Sequence, residues 1–451
     1  REEEMFEVPE WAANKVVYQI FPSRFAATEP VDKELWYKAP ITPMDDLHGN
    51  LRGIIEHMDD IQNLGIDVLY MTPIFQSNSC HKYDTTDYYQ IDPSFGTTED
   101  LKELVQKAHE RGMKVVLDAV YNHTGREFFA FADILENGEK SKYRDWYFID
   151  GFPLKSEWGE IPNFKCFGYY GGMPKLNLKN PEVEKYITDV ACYWIKECDI
   201  DGWRLDVGDE ISHFFWKNFR KAVKAVKKDM LIIGEIWHYA GDFLEGDEWD
   251  TVMNYPFYLN LIDLLADEKI TVSQFVQNLG YLKGRLHKNC YPLMWNLIDS
   301  HDTARFLHLC NDNKKKQHLA AAFQLLLPGM PMIYYGDEYA MPGANDPDCR
   351  RGMYWDEEYQ DKEMYEWYKR LIQVRKSHAC IVEGELAGSV TEDEEGTVVL
   401  IRKNGEETIA MIFNCSSSAK KFNEYTQKYN LLTENTFDGN VEGFDAAVIV
   451  L

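Results

Sequence analysis

Short apolar runs closed off by turn residues recur along the chain, with amphipathic stretches between them. The runs are KVVYQIF (15–21), DVLYMTPI (67–74), KVVLDAV (114–120), DGWRLDV (201–207), MLIIGEIW (230–237), TVMNYPF (251–257), LMWNLIDS (293–300) and PMIYYGDE (331–338). Runs of this length and composition predict buried strands. Between them, residues 51–64 place Leu51, Ile54, Ile55, Met58 and Ile61 on one helical face ahead of a Gly65 stop. Residues 98–111 do the same with Leu101, Leu104, Val105 and Ala108 before Gly112. In 180–197, Asn180 and Pro181 supply an N-cap and a first-turn proline ahead of Val183, Ile187, Val190, Trp194 and Ile195. Strand alternating with helix implies parallel pairing, and eight such units close as a (β/α)8 TIM barrel.

Two places break the rhythm. From Asn122 to about Asn177 the chain runs without a barrel-type helix and is rich in Gly, Phe, Tyr and Trp, which predicts a subdomain inserted after the third strand. After about His378, TVVLIRKNGEETIAMIFNCS places two strand-like runs around Asn404-Gly405, a hairpin signal. The expected organisation is a tail over 1–13, the barrel over 14–121 and 179–378, the insertion (domain B) over 122–178, and a C-terminal antiparallel β domain over 379–451. No internal repeat interrupts it.

Composition narrows the partners. With 48 basic and 75 acidic residues the net charge is −27, which repels nucleic acid and anionic lipid, whereas a neutral sugar is compatible with it. No apolar run approaches the roughly 18 residues of a membrane span. Nine cysteines stand singly with no CxxC pair, so no zinc site is signalled and a reducing compartment is favoured. A cytoplasmic location is expected; REEEMFEVPE is acidic where a signal peptide is basic, and a leader removed before residue 1 is left open.

In a barrel of this kind the active site lies at the C-terminal ends of the strands. There the sequence places Asp118 with Asn122 and His123, Arg204 with Asp206, Glu235, and His301 with Asp302. Hydrolysis of a glycosidic bond needs two flanking carboxyl groups, one nucleophile and one acid/base, and a separation of roughly 5–5.5 Å makes the outcome retaining. Asp206, next to the cation of Arg204, is expected to stay ionised as a nucleophile should. Glu235, within LIIGEIW, is expected in apolar surroundings that suit a general acid. Asp302 remains to steady an oxocarbenium-like transition state, and His123 and His301 to donate hydrogen bonds to the sugar.

DAVYNH (118–123), DGWRLDVGDE (201–210), GEIW (234–237) and LIDSHD (297–302) resemble, in order and spacing, the four signature regions of the α-amylase family of glycoside hydrolases (family 13). The resemblance implies a retaining mechanism with Asp206 as nucleophile, Glu235 as acid/base and Asp302 as stabiliser. It also implies that Tyr83, His123, Arg204 and His301 line the subsite of the reacting glucose, Tyr83 by stacking, with Asp118 in support. MPKLNL (173–178), HKYDTTDYYQIDPSFG (81–96), YQIFPSRF (18–25) and NDPDCRR (345–351) are similar to the cyclomaltodextrinase, neopullulanase and maltogenic amylase subgroup. By that likeness Asp346 and Arg350 contact the next glucose on the non-reducing side, and Trp237 stacks on the leaving-group side.

The sequence departs from the subgroup in three places. About fourteen residues precede the first strand where the subgroup carries a dimerising N-terminal domain, so a monomer is favoured. AATEPVDKELWY (26–37) replaces the Asn/Asp-rich loop that holds calcium in many relatives, so no metal ligand set is expected and no cofactor is required. Gly208-Asp209 follows the nucleophile where Ala-Asn is common. The expected activity is cleavage of α-1,4-glucosidic bonds in maltooligosaccharides and starch-derived glucans, with cyclodextrins and pullulan as further substrates. One alternative is a transglycosylase, in which sugar replaces water. The other, a non-catalytic glucan-binding protein, predicts loss of a catalytic carboxylate, yet all three are present.

Overall fold

The computed structural model describes residues 6–157 and 159–451. Its centre is a closed parallel barrel. The strands are β1 (Val17–Ile20), β2 (Val68–Met71), β3 (Lys114–Ala119), β4 (Gly202–Leu205), β5 (Leu231–Gly234), β6 (Thr251–Val252), β7 (Trp295–Leu297) and β8 (Met330–Tyr334). They hydrogen-bond in the order β6-β5-β4-β3-β2-β1-β8-β7, and a parallel bridge between Met253 and Trp295 closes the ring.

Period-two alternation decides what each strand offers to the inside. Val17, Val68, Tyr70, Val116, Ile233, Trp295 and Met332 belong to the inner core. Tyr18, Leu69, Leu117, Trp203, Ile232 and Ile333, one residue away, pack outward against the helices. The same alternation carries Gln19, Asp118 and Arg204 inward, each almost wholly buried. Asp118 and Arg204 are also register partners across β3 and β4, so their side chains leave the sheet side by side.

The shell helices begin where their caps stand. Thr97 and Asp100 form a reciprocal capping box ahead of α1 (Thr98–Glu110). The Asn180 side chain accepts from Glu182 N–H at the start of α2 (Pro181–Cys198). Two expectations are corrected. The helix over 51–64 is broken at His57 (φ −98°, ψ 13°), whose ring stacks on Trp355 at 3.6 Å. The strand over 251–257 stops at Val252, because Asn254 caps a new helix by accepting from Phe257 N–H, with Pro256 in its first turn.

Between β3 and α2 the chain folds around its own aromatic cluster, with Trp146, Tyr147 and Phe164 buried, and antiparallel bridges such as His123 to Lys175 tie it to the barrel rim. Beyond α3 (Lys362–Ser377) an antiparallel sheet runs β9 (Glu385–Glu392), β10 (Thr397–Asn404), β11 (Glu407–Asn414) and β12 (Asp445–Val450). The β10–β11 hairpin turns at Gly405-Glu406, with Asn404 paired to Glu407 and Gly405 at φ 59°. One face of this sheet joins the barrel core, Phe413 stacking on Phe323 at 4.2 Å.

Candidate active site

Arg204 is the hub. Fully buried, its Nη1 donates to Asp206 Oδ1 (3.0 Å) and to Asp118 Oδ1 (3.1 Å), its Nη2 lies 3.0 Å from Glu235 Oε2, and its Nε points at Met253 Sδ (3.4 Å). One guanidinium thus faces three carboxylates, residues 118, 206 and 235, drawn from the ends of three neighbouring strands. The barrel ladder continues into the loops to set them: Asp206 N–H donates to Ala119 O (3.1 Å) and Glu235 N–H to Leu205 O (3.0 Å).

This crowding corrects two expectations. Burial pushes the Asp206 carboxyl well above the usual carboxylate range, the charge of Glu235 pushes it further, and Arg204 offsets only part of this. The charge of Asp206 is therefore not set by Arg204 alone: burial and Glu235 act against it. Asp118 is likewise pushed up, to about 6, by burial, against the pull of Arg204, Tyr70 and Tyr83. Glu235, for its part, does not sit in apolar surroundings. Its Oε2 accepts from Val207 N–H (3.0 Å) and its Oε1 from Trp237 Nε1–H (3.1 Å). Val207 delivers that N–H from a left-handed backbone (φ 47°, ψ 43°), a costly conformation for a β-branched residue, directly after Asp206.

On the opposite wall Tyr83 joins the remaining groups. Its hydroxyl lies 2.8 Å from Asp118 Oδ2 and 2.7 Å from His301 Nε2, and its carbonyl accepts from His123 Nε2–H at 2.9 Å. Burial pulls His123 down to about 4, so its ring is neutral at pH 7 and its one N–H is engaged by that carbonyl. The expected donation from His123 to a sugar would require that bond to be exchanged. His301, also kept neutral by burial and by Arg350 and Arg204, has Nε2 3.3 Å from Asp302 Oδ2. Asp302 is the most open of the three carboxylates expected to be catalytic, its side chain 32% exposed. Arg350 reaches it at 3.5 Å, donates to His301 O (2.9 Å) and pairs with Asp346 (2.8 Å). Trp237 stacks one face on Tyr255 at 3.9 Å and is 41% exposed, which leaves the other face open beside Glu235.

All twelve side chains singled out from the sequence, Asp118 and Asn122 included, therefore meet at one rim. Three neighbours were missed. Gln19 and Tyr70 lie inward by strand alternation from Val17 and Val68, a signal the sequence carries; His81, half-buried and facing Asp84, Arg350, Asp346 and Asp302, has no such signal because it sits in a loop. Of the aromatic segments in the insertion, Trp146 and Tyr147 are core, whereas the Phe167 ring lies 5.3 Å from that of His123 at the site. A cleft of about 1090 Å³ opens at the other end of the barrel, around Trp11, Arg220 and Leu293. It holds none of these groups, so chemistry and not volume identifies the site.

The family described as alpha amylase, catalytic domain, matches residues 19–384. The chain is 46% identical over 420 residues to a cyclomaltodextrinase of Geobacillus thermopakistaniensis (strain MAS1), covering 92% of this chain and 71% of that protein. Among solved structures it is similar to a cyclomaltodextrinase (TM-score 0.93, 38% identity, 98% of this chain and 79% of the other). It is also similar to a cyclic α-maltosyl-(1→6)-maltose hydrolase from Arthrobacter globiformis in complex with cyclic α-maltosyl-(1→6)-maltose (TM-score 0.90, 35% identity, 98% and 100%).

Proposed function

The chain belongs to the α-amylase family of glycoside hydrolases, enzymes of α-glucans, and from that premise we propose that it cleaves α-1,4-glucosidic bonds with retention, through a glucosyl-enzyme. The observation that carries this reading is the grip of Arg204 on both Asp206 and Glu235. One guanidinium that holds both carboxyls keeps a nucleophile and an acid/base side by side at one rim, which supports the paired-carboxyl chemistry of a retaining enzyme.

In the forward half-reaction a carboxylate oxygen of Asp206 bonds to the anomeric carbon as the bond to the glycosidic oxygen breaks. That oxygen leaves with the proton of Glu235. Asp302 receives hydrogen bonds from the glucose hydroxyls as positive charge spreads over the ring. In the second half Glu235, now a carboxylate, takes a proton from water, whose oxygen displaces Asp206. Burial and the charge of Glu235 favour a proton on Asp206; as substrate binds, that proton passes to Glu235, which delivers it to the leaving oxygen, and positive charge developing at the anomeric carbon stabilises the bared Asp206 carboxylate. The open face of Trp237 beside Glu235 supports a second reading, in which a sugar bound there replaces water as acceptor.

By the same reading the substrates are maltooligosaccharides, starch-derived glucans, cyclodextrins and pullulan. The proposed reaction calls on no cofactor; the nine cysteines are free, and among the described residues no helix is long and apolar enough to cross a membrane. The test is a product time course on maltoheptaose, β-cyclodextrin and pullulan, with the anomeric form of the first product read by NMR. The expected first product is the α-anomer, and Asp206→Asn is expected to lose about 10⁴-fold or more in kcat. A first-formed β-anomer would rule retention out, and new, longer oligosaccharides at high maltoheptaose concentration would favour the acceptor reading.

A further inference from the structure

Gln19 lies on β1 inside the barrel, fully buried, with no role in any of the steps above. Its Nε2 is 2.7 Å from His301 Nδ1, across 282 positions of sequence. We propose that Gln19 is a positioning residue that fixes His301 as the neutral Nε2–H tautomer, so that the only hydrogen this ring offers is turned towards Tyr83 and Asp302. The proposal rests on the reading of this rim as a glycosidase site.

The protons can be assigned from the acceptor end. Asp118 is the anchor: both of its oxygens face Arg204 Nη1 (3.1 and 3.3 Å), and as a carboxylate it can only accept. The hydroxyls of Tyr70 (2.7 Å) and Tyr83 (2.8 Å) must then both donate to its Oδ2. Tyr83 has one hydrogen, so towards His301 Nε2, 2.7 Å away, it presents a lone pair, and Nε2 must carry the proton. Asp302 Oδ2, 3.3 Å from the same nitrogen, makes the same demand. A neutral ring protonated at Nε2 is bare at Nδ1, and a bare Nδ1 needs a donor, which the Gln19 amide nitrogen supplies.

This ordering also fixes the Gln19 amide, whose two ends differ only in where hydrogens sit. With the amide turned over, its oxygen would face the lone pair of Nδ1. The orientation that the relay demands leaves Gln19 Oε1 without a partner, a buried acceptor tolerated for the sake of the donor at the other end. The groups facing His301 from the surrounding elements are Tyr83, Asp302, Arg350, Arg204, Glu235 and His81. The two arginines and burial keep the ring neutral, which the tautomer argument requires.

The test reads the tautomer directly. In protein carrying ¹⁵N-histidine, two-bond ¹H–¹⁵N correlations distinguish Nε2–H from Nδ1–H rings, and the His301 signal is identified by its loss in His301→Asn. The expected wild-type pattern is Nε2–H; an Nδ1–H pattern overturns the proposal whether or not any variant folds. In Gln19→Glu a carboxylate acceptor faces Nδ1. That variant is expected to move the His301 signal to the Nδ1–H or doubly protonated pattern, to lower kcat about 10²-fold with KM little changed, and to bring a new ionisation into the pH profile. An unchanged His301 spectrum or an unchanged pH profile in a folded Gln19→Glu protein also overturns it. The spectrum needs no turnover, so a protein that failed to cleave glucans yet showed Nε2–H would sink the proposed reaction and leave this inference standing.

Discussion

Arg204 is surrounded by more negative charge than it can neutralise, and that excess gives the site its chemistry: Asp118, Asp206 and Glu235 all lie within 3.1 Å of its guanidinium. A carboxylate placed where a charge is expensive keeps its proton longer, and the same rule acts elsewhere in the barrel with consequences for stability. Glu338 is wholly buried after β8, accepting from the Tyr18 hydroxyl (2.6 Å) and from Gly336 N–H (2.9 Å). Burial raises it from 4.5 to about 7 despite those donors. In the folded protein it therefore binds its proton more tightly than in the unfolded chain. Its contribution is complete below pH 4.5 and is lost as pH rises through about 7. Glu338→Gln keeps the shape and removes the titration, at a packing cost that does not depend on pH. Between about pH 5 and about pH 8 the urea midpoint of the parent should fall relative to that of the variant by the equivalent of roughly 3 kcal/mol. Equal pH dependence in the two proteins would show that Glu338 is ionised throughout.

At the scale of the element, the strand ends are legible because their constraint is local. Alternation carries side chains two apart to the same face, so an apolar run that admits a charge at its inward C-terminal position marks the rim of the barrel. The loop that follows is shaped by closer packing. A Cβ on Gly234, the residue before Glu235, would come within 2.2 Å of Trp249 Cε3, and one on Gly208 within 2.8 Å of Trp249 Cζ2. Trp249 cannot retreat, being stacked on Phe243 at 4.0 Å. This accounts for the glycine at 208. Gly234→Ala is expected to cost about 1–3 kcal/mol by overpacking and, by displacing Glu235, to lower kcat about 10-fold to 10²-fold. A urea titration and a single substrate-saturation curve check both; a stable variant with full activity would mean that Trp249 can move.

At the scale of the whole molecule, the barrel is held shut by groups that join distant parts of the chain. Arg375, on α3, is buried, and among the described residues no carboxylate pairs with it. It donates to Leu325 O (2.7 Å), Leu327 O (2.8 Å) and Asn14 O (3.1 Å), and also to Gly329 O. One side chain thus satisfies the carbonyls ahead of β8 and ahead of β1, next to the seam where the first and last strands pair. Arg375→Met would leave them unpaired in the interior, and a loss of about 3 kcal/mol or more is expected, seen as a lowered melting temperature with kcat at 25 °C unchanged. A fall in kcat of the folded variant would instead couple this seam to the catalytic rim.

The sequence by itself determined the eight strands, the phase in which each faces inward, the position of the inserted segment and of the closing hairpin, and the carboxylates that stand at the strand ends. These follow from periodicity, caps and turn residues, which act over a few positions. It did not determine where helix would interrupt strand at Asn254, where a local cap prevailed over an apolar run. Nor did it determine how the carboxyl protons are distributed or what each histidine N–H faces. Asp206 was read beside its neighbour in sequence, Arg204, but its charge is set as well by burial and by Glu235, which the fold brings to the same guanidinium. The sequence suggests His123 as a donor to the sugar, whereas its N–H is committed to the carbonyl of Tyr83, forty positions earlier. Gln19 was passed over, and it stands against His301. Desolvation and Coulomb energies sum over neighbours in space, and only the closed barrel decides who those neighbours are.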